Sequence, residues 1–224
     1  MADDGGRAVI FDLDDTLYRE HDYVRSGFAA VARRLAAEPT APAVDDLFNA
    51  LVCEWQAHGR GHVFDVVAAR HGLDVGVAEL VAVYREHDPQ LELYPDAERA
   101  LARLEAAGRL VGVLTDGMAS VQRRKLKALG LDQRIRCIVV SDDYGLDAWK
   151  PSAVPYRAAL EHLGVAPADA VYVGDNPNKD FIGARALGLA TVRVKRETGD
   201  HAQTVLDPSY EADVTVATLD EVFV

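Results

Sequence analysis

The apolar residues of this chain follow two rhythms. Short unbroken runs occupy residues 8–11 (AVIF), 110–114 (LVGVL), 135–140 (IRCIVV) and 170–173 (AVYV), with shorter candidates at 190–194 and 214–216. Runs this short, rich in β-branched residues and with little alternation, fit parallel strands buried on both faces. Between them the spacing becomes helical. Residues 96–107 put Ala97, Ala100, Leu101 and Leu104 on one face, and Gly108 follows as a stop. The stretches 120–129, 154–163 and 182–187 repeat this and are stopped by Gly130, Gly164 and Gly188. Strands alternating with helices predict an α/β fold, a doubly wound, Rossmann-like parallel sheet.

Residues 18–93 break the alternation. Helical spacing covers 21–37, 44–58, 63–71 and 77–87, with breaks at PTAP (39–42), GRG (59–61) and GLD (72–74), and no convincing strand. The block is too long for an ordinary crossover. It predicts an all-helical domain, residues 18–93, inserted into an α/β core made of residues 1–17 and 94–224.

Composition narrows the class. The chain has 224 residues, 49% of them hydrophobic, enough for a sizeable core. No apolar run approaches the roughly 20 residues of a membrane span, and the start, MADDGGR, lacks the features of a signal peptide and reads as a short disordered tail. A net charge of -12 argues against nucleic acid as a partner. Two distant cysteines, Cys53 and Cys137, in no metal-binding pattern, suit reduced thiols in a cytoplasmic protein. The seven histidines show no HxH or HExxH spacing that would suggest zinc.

In an open parallel sheet, ligands bind at the carboxyl ends of the strands. Four such ends carry polar groups here: Asp12 with Asp14, Thr115, the stretch leading to Lys150, and Asp175 with Asp180. Asp12, Asp14 and Asp175 brought together would repel unless a cation neutralised them. Oxygen-only ligands suit Mg²⁺, which keeps waters and accepts phosphate oxygens. Thr115 offers a hydroxyl, Asp116 and Gly117 offer amides to an anion, and Lys150 is a point charge suited to phosphate.

The stretches FDLDDTLY, VLTDG, WKP and VYVGDNPNKDFIGARALG, in this order from about residue 9 to 194, resemble the four motifs of the haloacid dehalogenase superfamily. The helical insert resembles that superfamily's small C1 cap, and SVQRRKLKALGL resembles the helix after its second motif. The resemblance implies an Mg²⁺-dependent phosphatase acting on a small phosphomonoester. Asp12 would be the nucleophile that becomes an aspartyl phosphate, and Asp14 the general acid/base. Thr115, Asp116, Gly117 and Lys150 would bind the transferring phosphate. Asp12, Asp175, the Asp14 carbonyl and Asp180 would hold the metal. Thr16 would brace the turn after the nucleophile. The dehalogenases that name the superfamily lack an acid at the position of Asp14, so phosphoryl transfer is favoured.

Other residues receive plainer readings. Asp15 is a turn acid without chemistry. Asp116 stands where many relatives have Asn, and its carboxylate accepts but cannot donate. Asn176 either orients Lys150 or Asp175 or simply forms the turn. The run Arg123-Arg124-Lys125 reads as a solvated helix face. Trp55 reads as cap core, while Trp149, next to Lys150, borders the site or lies outside it. In this class the cap sets substrate choice, and Tyr18, Arg19, Tyr23, Arg25, His58, Arg60 and His62 are candidates for contact there. For each of them a solvated face or an aromatic at the edge of the core is the simpler account. Expected substrates are a sugar phosphate, phosphoglycolate or a nucleotide, and monomer and homodimer both stay open. Three rivals remain: a sugar-phosphate phosphomutase of the same superfamily, a receiver-like module, and an inactive phosphate-binding relative. A phosphonate hydrolase needs a cap lysine, and residues 18–93 contain none.

Overall fold

A computed structural model of the chain describes residues 7–222. Apart from Arg7, the tail read from MADDGGR lies outside the described residues. The chain divides into two compact units, Met1–Glu20 with Leu91–Val224, and His21–Gln90.

The first unit is built on a six-stranded parallel sheet: β1 (Ala8–Phe11), β2 (Leu110–Thr115), β3 (Cys137–Val140), β4 (Ala170–Gly174), β5 (Ala190–Val194) and β6 (Val214–Val216). Its order is β3-β2-β1-β4-β5-β6. Phe11 pairs with Val113 on one side and Val173 on the other, so the carboxyl ends of the three central strands finish level. The strand order reverses between β1 and β4, the place where an open α/β sheet forms a ligand crevice. Packed against the sheet are α5 (Pro95–Ala106), α8 (Ala153–Leu163) and α9 (Phe181–Leu187). Ile10, Leu114, Val139, Tyr156, Tyr172 and Phe181 join in one buried cluster. Each fully buried large side chain of this kind contributes about 1.5–3 kcal/mol relative to exposure.

Helix boundaries follow their local signals. Pro95 opens α5, the Ser152 hydroxyl accepts from Val154 N at the start of α8, and Gly164 ends α8 in a left-handed conformation. The third strand is shorter than its apolar run. After α6 (Ala119–Ala128), residues Leu131–Arg134 form a short helix, α7, and Ile135 caps it, so pairing begins only at Cys137. Cys137 is buried and Cys53 exposed, and both are free thiols.

The second unit is helical: α1 (Glu20–Leu35), α2 (Val44–His58), α3 (Val63–Arg70) and α4 (Val77–Glu86). Its core gathers Phe28, Val31, Leu35, Leu47, Leu51, Val67 and Leu80. Phe28 meets Trp55 and Phe64 edge-on at 5.9 and 6.0 Å, which makes Trp55 part of this packing. Tyr23 packs edge-on against Tyr84 at 5.5 Å, Arg25 lies over the Phe48 ring, His58 pairs with Glu54, and His62 with Asp65. Arg60 is exposed and Arg19 half-buried. Among the described residues no helix is long and apolar enough to cross a membrane.

Candidate active site

Beyond Phe11 the chain stays in the sheet for one more hydrogen bond, from Asp12 N to Val173 O at 2.8 Å. This seats Asp12 between β2 and β4 with 2% of its surface exposed. The backbone then turns. Asp15 adopts a positive φ of 51°, and Leu17 N donates to Leu13 O. The Asp15 carboxylate is buried and accepts from Glu20 N and Asp200 N, so it ties the turn to the C-terminal segment. Thr16 acts through its backbone, with its carbonyl accepting from Arg196. Its hydroxyl has no partner among the described residues.

Lys150 is fully buried beneath the strand ends. Its Nζ donates to Asp12 Oδ1 at 2.5 Å, Asp180 Oδ1 at 2.9 Å and the Tyr172 hydroxyl at 3.0 Å. The other Asp180 oxygen accepts from Asn176 N. Gly174 makes this possible, because a Cβ there would lie 2.4 Å from Asp180 Oδ2. The Asn176 side chain accepts from Asn178, and its carbonyl accepts from Lys179 N and Asp180 N, so Asn176 forms the turn. Carboxylate oxygens of Asp12, Asp175 and Asp180 all lie within 4.8 Å of one another, and the three residues are buried.

The electrostatics match this crowding. Burial, against the pull of Lys150 and with the push of Asp180, raises the Asp12 carboxyl to about 7. Burial and the neighbouring Asp180 and Asp12 push Asp175 well above the usual carboxylate range. The Lys150 pKa is raised as well, but for a base this favours the charged form. Burial opposes its charge, but Asp12 and Asp180 outweigh burial and fix the ammonium form. Three buried acids thus share one fully buried cation, with a further pull on Asp12 and Asp175 from Lys179, and the raised carboxyl pKa values show that this oxygen-only donor set is short of positive charge. A divalent hard cation fits that set.

Thr115 ends β2 with its hydroxyl buried. Asp116 turns its carboxylate inward. It accepts from the Ser141 hydroxyl at 2.7 Å and Lys150 N at 3.1 Å, and its second oxygen lies 3.1 Å from Lys179 Nζ. Burial is overcome by Lys150 and Lys179, and the group titrates below its ordinary value. Lys179 sits inside the fourth motif, yet sequence reasoning gave it no role.

Asp14 occupies different ground. Lys125 Nζ donates to its Oδ1 at 2.7 Å, the Tyr18 hydroxyl donates to the same oxygen, and Gln122 Nε2 donates to Oδ2 at 2.9 Å. Burial alone would raise this carboxyl. The Lys125 charge and the three donated bonds outweigh it and hold the group below its ordinary range. The expectation of a solvated face for Arg123-Arg124-Lys125 is therefore wrong for Lys125, which is only 5% exposed. Arg123 is exposed and pairs with Asp143, but Lys125 lies one helical turn from Gln122, on the buried side of α6. Tyr18 is fully buried and belongs to this corner.

Comparison with known proteins agrees with the layout. The family model described as haloacid dehalogenase-like hydrolase matches residues 7–188. A glyceraldehyde 3-phosphate phosphatase of Methanopyrus kandleri is 33% identical, covering 85% of this chain and 84% of that protein. A phosphoglycolate phosphatase of Neisseria meningitidis is 31% identical over 97% of this chain and 92% of its own. Among solved structures, a HAD phosphatase from Thermococcus onnurineus covers 96% of this chain and 95% of its own, with a TM-score of 0.58 and 26% identity. The chain belongs to the haloacid dehalogenase-like hydrolases, on the phosphatase side of that family.

Proposed function

We propose that the chain is an Mg²⁺-dependent phosphatase that hydrolyses a small phosphomonoester through an aspartyl phosphate on Asp12. The observation that carries this reading is the meeting of Asp12, Asp175 and Asp180 over a fully buried Lys150. Asp12, Asp175, the Asp14 carbonyl and Asp180 would hold the metal. Bound there, Mg²⁺ supplies positive charge to the phosphoryl oxygens and lowers repulsion between the substrate and the acids.

In the first step the Asp12 carboxylate attacks phosphorus in line, and the bond from phosphorus to the alcohol oxygen breaks. Asp14 in its protonated form hands a proton to that oxygen, and the alcohol leaves. In the second step water attacks the phosphorus of the aspartyl phosphate. Asp14, now a carboxylate, takes the water's proton. Phosphate departs and Asp12 is restored. Lys150 holds Asp12 in place and, with the Thr115 hydroxyl and the amides of Asp116 and Gly117, binds the equatorial oxygens. The proton that Asp14 takes from water in the second step replaces the one it gave to the alcohol in the first, and the donors around it favour the carboxylate that the water step uses. The substrate is a small phosphorylated metabolite, such as a sugar phosphate, phosphoglycolate or a nucleotide. The relatives named for glyceraldehyde 3-phosphate and phosphoglycolate support this class.

The test is hydrolysis of p-nitrophenyl phosphate and of a panel of phosphorylated metabolites, with Mg²⁺ and with EDTA. Turnover with Mg²⁺ and none in EDTA is expected. Undiminished turnover in EDTA would sink the metal requirement.

A further inference from the structure

The surroundings of Asp14 carry a further inference, which rests on the reading of Asp14 as acid and base. Gln122 and Lys125 are three residues apart on α6, so they stand on one face of that helix. Both are buried, at 2% and 5% exposure. From there they reach opposite oxygens of one carboxylate, Lys125 at 2.7 Å to Oδ1 and Gln122 at 2.9 Å to Oδ2. Donors on both oxygens fix the plane of a carboxylate, whereas a single donor leaves it free to rotate about its last bond.

The count of acceptor sites says which oxygen works. Each carboxylate oxygen offers about two sites. Oδ1 receives both Lys125 and the Tyr18 hydroxyl, so its sites are taken. Among the described residues Oδ2 receives Gln122 alone, which leaves one of its sites open. The Asp14 side chain is 21% exposed, so that site is reachable.

Gln122 also donates to Thr115 Oγ1 at 2.6 Å. One amide therefore joins the proton-handling acid to the hydroxyl at the end of β2. Space for that amide depends on Gly117, where a Cβ would approach the Gln122 side chain at 3.2 Å and φ is 125°.

We infer that Lys125 and Gln122 are positioning residues that orient Asp14 so that Oδ2 exchanges the proton with the leaving alcohol. Neither touches the reacting atoms in this scheme. They act through Asp14.

The test compares leaving groups. p-Nitrophenolate departs without much help from an acid, whereas an alkoxide does not. The value kcat/KM reports every step up to departure of the alcohol. For the full chain with Mg²⁺, Lys125→Met and Gln122→Leu should lower kcat/KM on an alkyl phosphate by about 10- to 100-fold, the order expected for a misplaced catalytic group. On p-nitrophenyl phosphate the same variants should lose no more than about threefold, small beside that loss. Lys125→Arg should recover part of the alkyl phosphate rate. Equal losses on both substrates, or none, would overturn the inference. Asp14→Asn is the control for the underlying reading. If that variant does not discriminate between leaving groups, the acid/base role itself fails. If it does and the α6 variants do not, only the positioning role fails. Should Lys125→Met not fold, Gln122→Leu decides alone, since it removes one neutral donor and leaves the ion pair.

Discussion

Two corners of the sheet edge treat an acid in opposite ways. Around Asp12, the acids Asp175 and Asp180 crowd in with one fully buried lysine, and both Asp12 and Asp175 are pushed up in pKa. Around Asp14, the chain supplies its own cation and two neutral donors, and the carboxyl is pulled down. Only Leu13 separates Asp12 from Asp14. The first corner is left short of positive charge, which suits a place that receives a dication and a phosphoryl group. The second is already neutralised, which suits a carboxylate whose orientation matters more than its total charge. Proximity in sequence thus says little about the field a residue feels. The partners brought in by other strand ends and by α6 decide it.

The sharpest way to break this comparison is at Asp12. Asp12→Asn keeps the shape and removes the carboxylate proposed to attack phosphorus, so kcat on any phosphomonoester should fall by about 10⁴-fold or more. Near-normal turnover in a variant that melts cooperatively would remove the chemistry from that corner.

Mg²⁺ separates the corners next. At 100 times its dissociation constant it should stabilise the wild type by about 2.7 kcal/mol, read as a rise in melting temperature over the EDTA form. Asp175→Asn should abolish that rise, whereas Gln122→Leu should keep it. Loss of the rise in Gln122→Leu would show that the two corners are not distinct.

A buried acid outside the reaction gives the calibration. Asp96 accepts from Arg196, the Thr218 hydroxyl and Leu219 N, and these outweigh its burial and lower its pKa below the ordinary 3.8. Its folded-state pKa is therefore lower than its unfolded one. The stability it contributes is present above the unfolded value and is lost as pH falls through the folded value. Asp96→Asn should cost about 2 kcal/mol in urea melts at neutral pH and should shrink the difference in stability between neutral and acid pH. Activity with saturating substrate should be unchanged. An undiminished acid dependence in the variant would place that titration elsewhere.

The smallest effect is expected in the helical unit. The Tyr23 hydroxyl donates to Tyr84 O at a long 3.5 Å, beside extensive ring packing. Tyr23→Phe should shift stability by less than about 0.5 kcal/mol. A shift comparable to that of Asp96→Asn would mean the hydroxyl matters as much as a buried charge.

These corners also mark where the sequence could be read. Asp12, Thr115 and Asp175 were legible because each follows an apolar run that cannot end in water. A polar residue at such an end has few structural reasons to be there. Lys150 was legible through its motif. Gln122 and Lys125 were not, because α6 reads ASVQRRKLKA, a helix whose own composition points to solvent. Their burial is dictated by an acid more than a hundred residues earlier in the chain, and nothing in local periodicity encodes that. The helical unit was legible as packing for the same reason that its chemistry was not. Its core is apolar, and apolar patterns state what is buried without stating what is bound. The late start of β3 escaped because Ile135 and Arg136 look like strand, while Ile135 caps α7 and Arg136 bends the chain before pairing begins.

Arg193, on β5, has one more consequence. Its buried guanidinium donates to the backbone carbonyls of Asp175, His201 and Thr204, and to the Glu211 side chain. Three of those four acceptors are main-chain oxygens, which every amino acid carries. His201 and Thr204 can therefore be exchanged for other residues without loosening the grip, provided the backbone path is kept. Those two positions can drift in sequence while the backbone of Asp175 stays anchored. A relative with an unrecognisable loop at this point would still fold around the same arginine.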